Sequence, residues 1–214
     1  MWDNDAVIGD EIYIGSVWEG DSIPSTLTIS YSDVEGGEAS VYLEPDCTLN
    51  WLDGMIDEEP MFVLPDRRDY RLLWESPCID AGHPGPQFYD PDETICDMGA
   101  HFFDQDDYLT LYVTPDKKWA RPGGQFGVTY TVVNRWESPE PCWGISRVYF
   151  LGGGFFDLIG PDQFTVPANY TGQFHLTRNI PTTLQTGVYE CWSMLFMPPV
   201  ATYDEDGFTF WVIE

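Results

Sequence analysis

The feature that most limits the fold of this chain is the near absence of helical periodicity. No window of about eleven residues keeps a helical apolar stripe without an intervening Gly or Pro. Short β-rich runs separated by turn residues take its place, as at 25–34 (STLTISYSDV), where Leu27, Ile29 and Tyr31 alternate with hydroxyl side chains. Such alternation puts the apolar side chains on one face of a strand. The sequence therefore predicts an all-β protein.

Charge is distributed unevenly along the chain, which carries a net charge of −27. Residues 1–107 hold 26 of the 36 acidic residues, and this asymmetry indicates two modules with different surfaces. Because so acidic a surface offers no basic patch to release counterions, nucleic acid is not an expected partner. No run of 18 apolar residues occurs, so membrane insertion is not expected either.

The first module contains a series of short sequence motifs in a fixed order. They are ID at 56–57, PMFV at 60–63, DYRL at 69–72, SPCIDAG at 76–82, DPD at 90–92 and DMGA at 97–100. In this order they resemble the closing coils of secreted bacterial right-handed parallel β-helix proteins of the pectin-lyase-like superfamily. The resemblance implies that residues 1–104 form the last coils of such a β-helix. Since a solenoid must cover its apolar end, we expect further N-terminal coils of the same chain as its partner.

The second module, 108–214, has longer strand candidates at wider spacing. In the run 125–134, Phe126, Val128, Tyr130 and Val132 lie on one face and threonines on the other, which predicts one buried face. About six such strands joined by Gly, Pro and Asn turns are typical of an immunoglobulin-like β-sandwich. The strand candidates are 108–115, 125–134, 145–153, 172–180, 187–196 and 207–214.

Five cysteines offer no closely spaced pair of the kind that binds zinc. The separations of Cys78 from Cys96 and of Cys142 from Cys191 suit disulfides that close loops, so both pairs are disulfide candidates. Cys47 is then interpreted as an unpaired buried thiol.

Acidic residues cluster at Asp90, Asp92, Glu93 and Asp97. Calcium, which prefers several converging carboxylate oxygens, is the cofactor that this loop would hold. The alternative is a solvated turn whose Asp side chains accept hydrogen bonds from their own backbone. No other cofactor is expected.

Trp136 and Trp143 flank the Pro-rich stretch 134–144 (NRWESPEPCWG). Flat aromatic faces with a few polar groups bind sugars, so these two residues are the candidate ligand-binding pair, and packing within the loop is the alternative.

No catalytic residue is predicted in this chain. Its first module contains only Arg67, Arg68 and Arg71 as bases, and no nucleophilic triad motif accompanies the three histidines. We therefore expect a non-catalytic part of a secreted or cell-surface protein, a scaffold or adhesion module that binds a polysaccharide or surface glycan. The alternative is the C-terminal part of a polysaccharide lyase or glycoside hydrolase whose active site lies in upstream coils.

Overall fold

The chain folds as an all-β protein, which confirms the fold class expected from its sequence. A computed structural model describes residues 1–18, 21–150, 152–199 and 201–214. The contacts divide the chain into two compact units, one of residues 1–62 with 70–104 and the other of residues 63–69 with 105–214. The sequence boundaries, 1–104 and 108–214, had assigned residues 63–69 to the first module, because sequence order does not reveal that a hairpin tip packs with a later segment.

Short strands make up the first unit. They are β1 (Tyr13–Ile14), β2 (Val17–Trp18), β3 (Asp21–Ser22), β4 (Thr26–Ile29), β5 (Tyr42–Leu43) and β6 (Thr48–Trp51). The strands β7 (Phe62–Leu64) and β8 (Asp69–Leu72) follow, and their hairpin crosses the division between the units. Short 3-10 turns occur at Gly37–Ser40, Pro65–Arg67 and Pro86–Phe88.

Parallel pairing joins successive turns of the chain in this unit. β1 pairs with β5 and β4 with β6, both in parallel, and an isolated parallel bridge joins Asp33 to Ile56. The Asn50 side-chain amide donates to Thr28 Oγ1, 22 residues earlier, at 3.0 Å. Each sheet of the described part of this unit has only two strands, so a continuous solenoid, and with it the β-helix, is not shown.

Two apolar clusters lie inside the first unit. One is centred on Ile12, Ile14 and Val34, and the other on Leu72, Cys78, Met98 and Phe103. Their small size follows from strands of two to four residues, which contribute one or two inward side chains each.

Longer strands build the second unit. They are β9 (Leu109–Pro115), β10 (Trp119–Ala120), β11 (Gln125–Asn134), β12 (Glu140–Tyr149), β13 (Phe155–Val166), β14 (Tyr170–Asn179), β15 (Gly187–Met197) and β16 (Ala201–Val212). They form a five-stranded sheet in the order β10-β16-β15-β12-β13 and a three-stranded sheet in the order β14-β11-β9.

One core lies between these two sheets, as in a β-sandwich. The predicted inward face of β11 is confirmed, since Phe126, Val128, Tyr130 and Val132 all belong to this core. Phe126 stacks on Phe210 of the opposite sheet at a centroid distance of 4.4 Å. Aromatic and β-branched side chains at every second position of both sheets therefore determine how the sheets pack.

The other face of β11, which the sequence predicts to be exposed, is buried. Thr131 is fully buried, and the segment 63–69 lies on this side of the three-stranded sheet. Gln173 Nε2 donates to the carbonyl of Val63 at 2.8 Å, and Thr114 Oγ1 donates to the carboxylate of Asp69. The prediction of a single buried face was wrong because nothing in β11 itself reveals the covering segment.

Carboxylates of β16 cap the outer edge of β9. Asp204 and Asp206 each accept the backbone N–H of a β9 residue, Leu111 and Val113 respectively, at 2.7 Å. A free edge strand pairs readily with other chains, and side chains that occupy its N–H groups prevent this.

Candidate ligand-binding surface

Two similar segments, 78–82 (CIDAG) and 96–100 (CDMGA), lie side by side through backbone hydrogen bonds. Met98 N donates to the Cys78 carbonyl at 2.9 Å, and Gly82 N donates to the Cys96 carbonyl at 2.8 Å. A Cβ atom on Gly82 would lie 2.5 Å from the Cys96 sulfur, so only glycine allows this approach. Backbone hydrogen bonds thus hold these two segments together.

The predicted Cys78–Cys96 disulfide is not formed. The Cys78 thiol lies 3.5 Å from Asp33 Oδ2, whereas the Cys96 thiol lies 3.5 Å from the His83 carbonyl, so the two sulfurs have different partners. Burial, followed by the Asp33 carboxylate, raises the pKa of Cys78 to about 12. A thiol held protonated in this way is a packing residue and is a poor nucleophile.

The predicted Cys142–Cys191 disulfide is excluded by strand register. Cys191 on β15 lies opposite Val148 on β12, six positions along that strand from Cys142. At about 3.3 Å per residue the two Cα atoms are roughly 20 Å apart, far beyond the 7 Å or so that a disulfide spans. The sequence separation of the two cysteines had suited a disulfide that closes a loop, but the register separates the two thiols.

We therefore expect all five cysteines to be free. Mass spectrometry after alkylation in denaturant, without a reducing agent, should show five added groups, because the structure contains five free thiols. A product carrying three groups would contradict this result, and a reduced sample provides the reference for complete alkylation.

The acidic loop uses its carboxylates as backbone acceptors. Asp97 accepts the N–H groups of Asp80 and Phe103, and Asp90 accepts the N–H of Asp97 at 2.8 Å. Asp92 in turn accepts the hydroxyl of Thr94 at 2.8 Å. Such hydrogen bonds, from nearby backbone N–H groups to Asp side chains, are typical of turns.

The calcium hypothesis for Asp90, Asp92, Glu93 and Asp97 finds no converging ligand set. No group of three or more His, Cys, Asp or Glu side chains is arranged to hold a metal ion within the described residues. Burial raises the pKa of both Asp90 and Asp97, which opposes the charged state that a hard cation requires.

Trp136 lies within an aromatic cluster that packs against the core. Its ring stacks on Tyr108 at 5.8 Å and meets Tyr203 edge-on, and the Arg135 guanidinium lies 4.6 Å from the centroid of the Tyr108 ring. The ring is half-buried with both neighbours in place. This position fits the packing alternative for Trp136 better than ligand stacking.

Trp143 lies in a strand, although the sequence placed it at the end of a loop. It is half-buried on β12, where its cross-strand neighbours are Gln163 on β13 and Phe196 on β15. Its neighbours along the strand, Cys142 and Gly144, are buried, so Trp143 points to the outer side of the five-stranded sheet. Among the ring contacts of the described residues, none joins Trp143 to Trp136.

The outer side of the five-stranded sheet is rich in aromatic rings. Alternation along β12 and β15 turns Cys142, Val148, Cys191 and Leu195 into the core and turns the intervening large side chains outward. We name this outer surface the aromatic face, and its rings are Trp119, Trp143, Tyr149, Phe155, Trp192, Phe196 and Trp211.

A polar pair lies among the rings of the aromatic face. Arg147 Nε donates to Asp157 Oδ1 at 2.7 Å across β12 and β13, and the Arg147 guanidinium lies 4.3 Å from the Phe155 ring centroid. Tyr149 contacts both Phe155, at 5.9 Å, and Trp192, at 6.4 Å. The hydrogen bond to Asp157 raises the pKa of Arg147 above its ordinary value, so the guanidinium remains charged beside the carboxylate.

At the other edge of this face two tryptophans occupy neighbouring positions on adjacent strands. Trp119 on β10 pairs in register with Trp211 on β16, and the two residues are 44% and 49% exposed. Lys117 Nζ lies 4.9 Å from the Trp119 ring. Exposed tryptophans in adjacent strands form a flat apolar surface that core packing does not require.

Sequence reasoning missed most of the aromatic face. Trp192 and Trp211 both lie in strands, and alternation with the buried neighbours Cys191, Ser193 and Phe210 places both outside the core. The signal was present in the strand patterns themselves, since every second residue of GVYECWSMLF must face away from the core.

Comparison with known proteins yields only distant similarities. No protein-family model matches the sequence, and no curated protein is significantly similar to it. Among solved structures, the sporulation control protein Spo0M from Bacillus subtilis aligns at 13% identity and a TM-score of 0.39, covering 49% of each chain. A family 123 glycoside hydrolase from Clostridium perfringens aligns at 11% identity and a TM-score of 0.38, covering 50% of this chain and 27% of that one.

A third similar structure is the CARDB domain of a Pyrococcus furiosus protein in complex with di-metal ions. It aligns at 20% identity and a TM-score of 0.34, covering 49% of this chain and 87% of that domain. The chain spans about half the length of the Bacillus protein and under a third of the hydrolase. At TM-scores below 0.5 these similarities carry no argument about function. Within the described residues no helix is long and apolar enough to cross a membrane.

Proposed function

We propose that this chain is a non-catalytic module of a secreted or cell-surface protein, and that its second unit binds glycans through the aromatic face. The observation that carries the proposal is the cluster of half-exposed rings around the Arg147–Asp157 pair on one side of the five-stranded sheet. Packing in the core does not account for the outward position of these rings.

Sugar rings offer two kinds of surface to a protein. Their axial C–H groups form weakly apolar patches that stack on aromatic rings, and their hydroxyls both donate and accept hydrogen bonds. Trp192 and Tyr149 provide ring surfaces, and Arg147 and Asp157 provide a donor and an acceptor between them. Since a neutral glycan carries no charge, the net charge of −27 does not repel it.

Residues 1–104 act as the scaffold in this proposal, as the closing coils of a parallel β-helix of the pectin-lyase-like superfamily. The parallel pairs of β1 with β5 and β4 with β6 support this assignment, as does the side-chain contact between Asn50 and Thr28. The immunoglobulin-like class of the second unit likewise rests on its two packed sheets.

No observation favours the alternative of an enzyme fragment. Of the three arginines in the first predicted module, Arg67 forms an ion pair with Asp116 at 3.6 Å, and this structural contact gives no sign of a proton-abstracting base. Both partners lie within the second unit.

A glycan array followed by calorimetry on the retained glycan tests the proposed function. We expect Trp192→Ala to weaken binding about tenfold, because loss of one stacking ring costs about 1.4 kcal/mol. Trp143→Ala should weaken it less, since Trp143 lies farther from Arg147 along β12. Trp136→Ala should lower thermal stability and leave glycan affinity unchanged.

Tyr170→Ala is the matched control, because Tyr170 is 40% exposed and lies on β14 of the other sheet. An array that retains no glycan, or an equal loss of affinity in Tyr170→Ala, would refute the proposed function.

A further inference from the structure

The strand β14 is an outer strand whose free edge lacks the usual protection against pairing. It lies beyond β11 in the three-stranded sheet, and no other strand of the described residues pairs with it. Its ten residues, 170–179, pair with β11 at ten consecutive positions without a bulge, and they include no proline and no acidic residue. A long and regular edge of this kind readily accepts another strand.

The other outer strands of the second unit are protected. Asp204 and Asp206 accept the outward N–H groups of β9. The strand β13 has a bulge, since Gly160 and Pro161 together stand opposite a single residue of β12, and β10 has only two residues. Capping side chains, a bulge with proline and a short length each prevent pairing with another chain. The strand β14 is therefore the edge left open.

This open edge presents the backbone groups of alternate residues to solvent. Ile180, the residue after β14, donates its N–H to the carbonyl of Gly124, the residue before β11, at 2.8 Å. Because the bonding direction alternates along an antiparallel strand, the even-numbered residues of β14 bond to β11 and the odd-numbered ones point their N–H and C=O groups away. The outward row comprises Thr171, Gln173, His175, Thr177 and Asn179.

Apolar side chains accompany the open edge. Phe174 and Leu176 lie on the inner side of β14 and line a half-open apolar groove between the sheets, to which β13 contributes Phe164. Phe174 and Phe164 are 48% and 39% exposed, and Tyr170 at the start of β14 is 40% exposed. Exposed apolar side chains beside open backbone groups are the two features that an added strand covers together.

The strand β14 is complementary to itself when two copies run antiparallel about Phe174. The opposed pairs are then Phe174 with Phe174, Tyr170 with Arg178, Gly172 with Leu176, Thr171 with Thr177, and Gln173 with His175. Aromatic and threonine pairs across strands are favourable, and an arginine opposite a tyrosine forms a cation–π contact. No charged residue faces a like charge, so the side chains favour a second copy as the partner of this edge.

We propose that two copies of this chain form a dimer by antiparallel pairing of their β14 strands about Phe174, which joins their three-stranded sheets into one sheet of six strands. The net charge of −27 does not prevent this, because residues 108–214 hold only ten acidic residues against six basic ones. The interface lies on the other sheet from the aromatic face, so it goes beyond the proposed glycan binding and does not depend on it.

Sedimentation velocity of the full chain over a range of concentrations tests the proposal. We expect a monomer–dimer equilibrium in the micromolar range, because one pair of strands forms an interface at the lower end of the usual sizes. Thr177→Pro should weaken dimerisation about tenfold, since it removes one outward N–H from each copy. Thr177→Val is the matched control, because it keeps this N–H and should dimerise within about twofold of the unmodified protein.

Disulfide cross-linking tests the register without a proline, and it remains informative if Thr177→Pro does not fold. The two copies of residue 174 form a pair whose Cα atoms are about 4.5 Å apart, so Phe174→Cys should cross-link under mild oxidation. Tyr170→Cys is the control, because residue 170 lies four positions from the two-fold axis and its two copies are roughly 26 Å apart. The five native thiols are the same in both variants.

A chain that stays monomeric up to millimolar concentration would overturn the proposal. A dimer that Thr177→Pro and Thr177→Val weaken equally would overturn it as well, because backbone pairing at β14 would not hold such a dimer together. Equal cross-linking of Phe174→Cys and Tyr170→Cys would overturn the assigned register.

Discussion

Replacement of Phe210 by alanine is expected to destabilise the second unit by about 3–5 kcal/mol. Phe210 is fully buried between the sheets, where it stacks on Phe126 at 4.4 Å and contacts Tyr189 at 5.8 Å. Its removal loses both the transfer free energy of the ring and the contacts around the resulting void. Calorimetry should show the transition of this unit at a midpoint roughly 10–20 °C lower.

Phe155→Ala is the matched control, because it removes the same side chain from an outward position that is 50% exposed. It should cost less than about 1 kcal/mol, since an exposed ring buries little area. Equal destabilisation by the two variants would mean that the core of this unit does not lie between its sheets.

Stability of the second unit is expected to fall as pH rises from about 4 to 7, with Asp204 as the cause. Burial raises the pKa of Asp204 to about 7, although its hydrogen bonds from Leu111 and Glu205 oppose the shift. The carboxyls of Asp107 and Asp206 add to the increase. A folded state that binds the proton more tightly than the unfolded state has its full stabilisation below the unfolded pKa, and it loses this stabilisation as pH rises from the unfolded pKa to the folded pKa.

The size of this effect follows from the shift in pKa from 3.8 to about 7, which corresponds to roughly 4 kcal/mol at most. Asp204→Asn should remove this part of the pH dependence, because the amide does not titrate and retains an acceptor oxygen for Leu111. Denaturation midpoints measured from pH 4 to 8 provide the test, and the difference between variant and unmodified protein isolates Asp204 from other carboxyls.

Glu205→Gln controls for the change in net charge, because it removes one negative charge from an exposed position of the same strand. A pH slope that is unchanged in Asp204→Asn would show that this carboxyl does not take up a proton on folding.

Strand prediction succeeded where side-chain alternation and turn chemistry agree. The strand β11 was predicted with its observed bounds, 125–134, because its core side alternates strictly with threonines and glycine precedes it. The strand β13 (Phe155–Val166) was missed because Gly160 and Pro161 interrupt its pattern. An edge strand tolerates both residues, since proline lacks only a hydrogen-bond donor that faces away from the sheet.

The sequence did not reveal which aromatic rings share a face, for a related reason. The sequence identified tryptophan as the residue type that binds sugars, but it selected Trp136 and Trp143 from their proximity to a proline-rich loop. The structure packs Trp136 between Tyr108 and Tyr203, and it brings Tyr149 to Trp192 from a different strand. Register between strands, which depends on long-range pairing, decides which rings share a face.

What the sequence by itself determined is the β class, the inward face of β11 and the contrast between an acidic first half and a longer-stranded second half. These follow from local periodicity and composition, which each segment carries on its own. Only the tertiary structure decided that Cys142 and Cys191 are far apart, that residues 63–69 cover a sheet, and that β13 bulges opposite β12. Each of these depends on the register between segments distant in sequence, and register is set by packing of the whole unit.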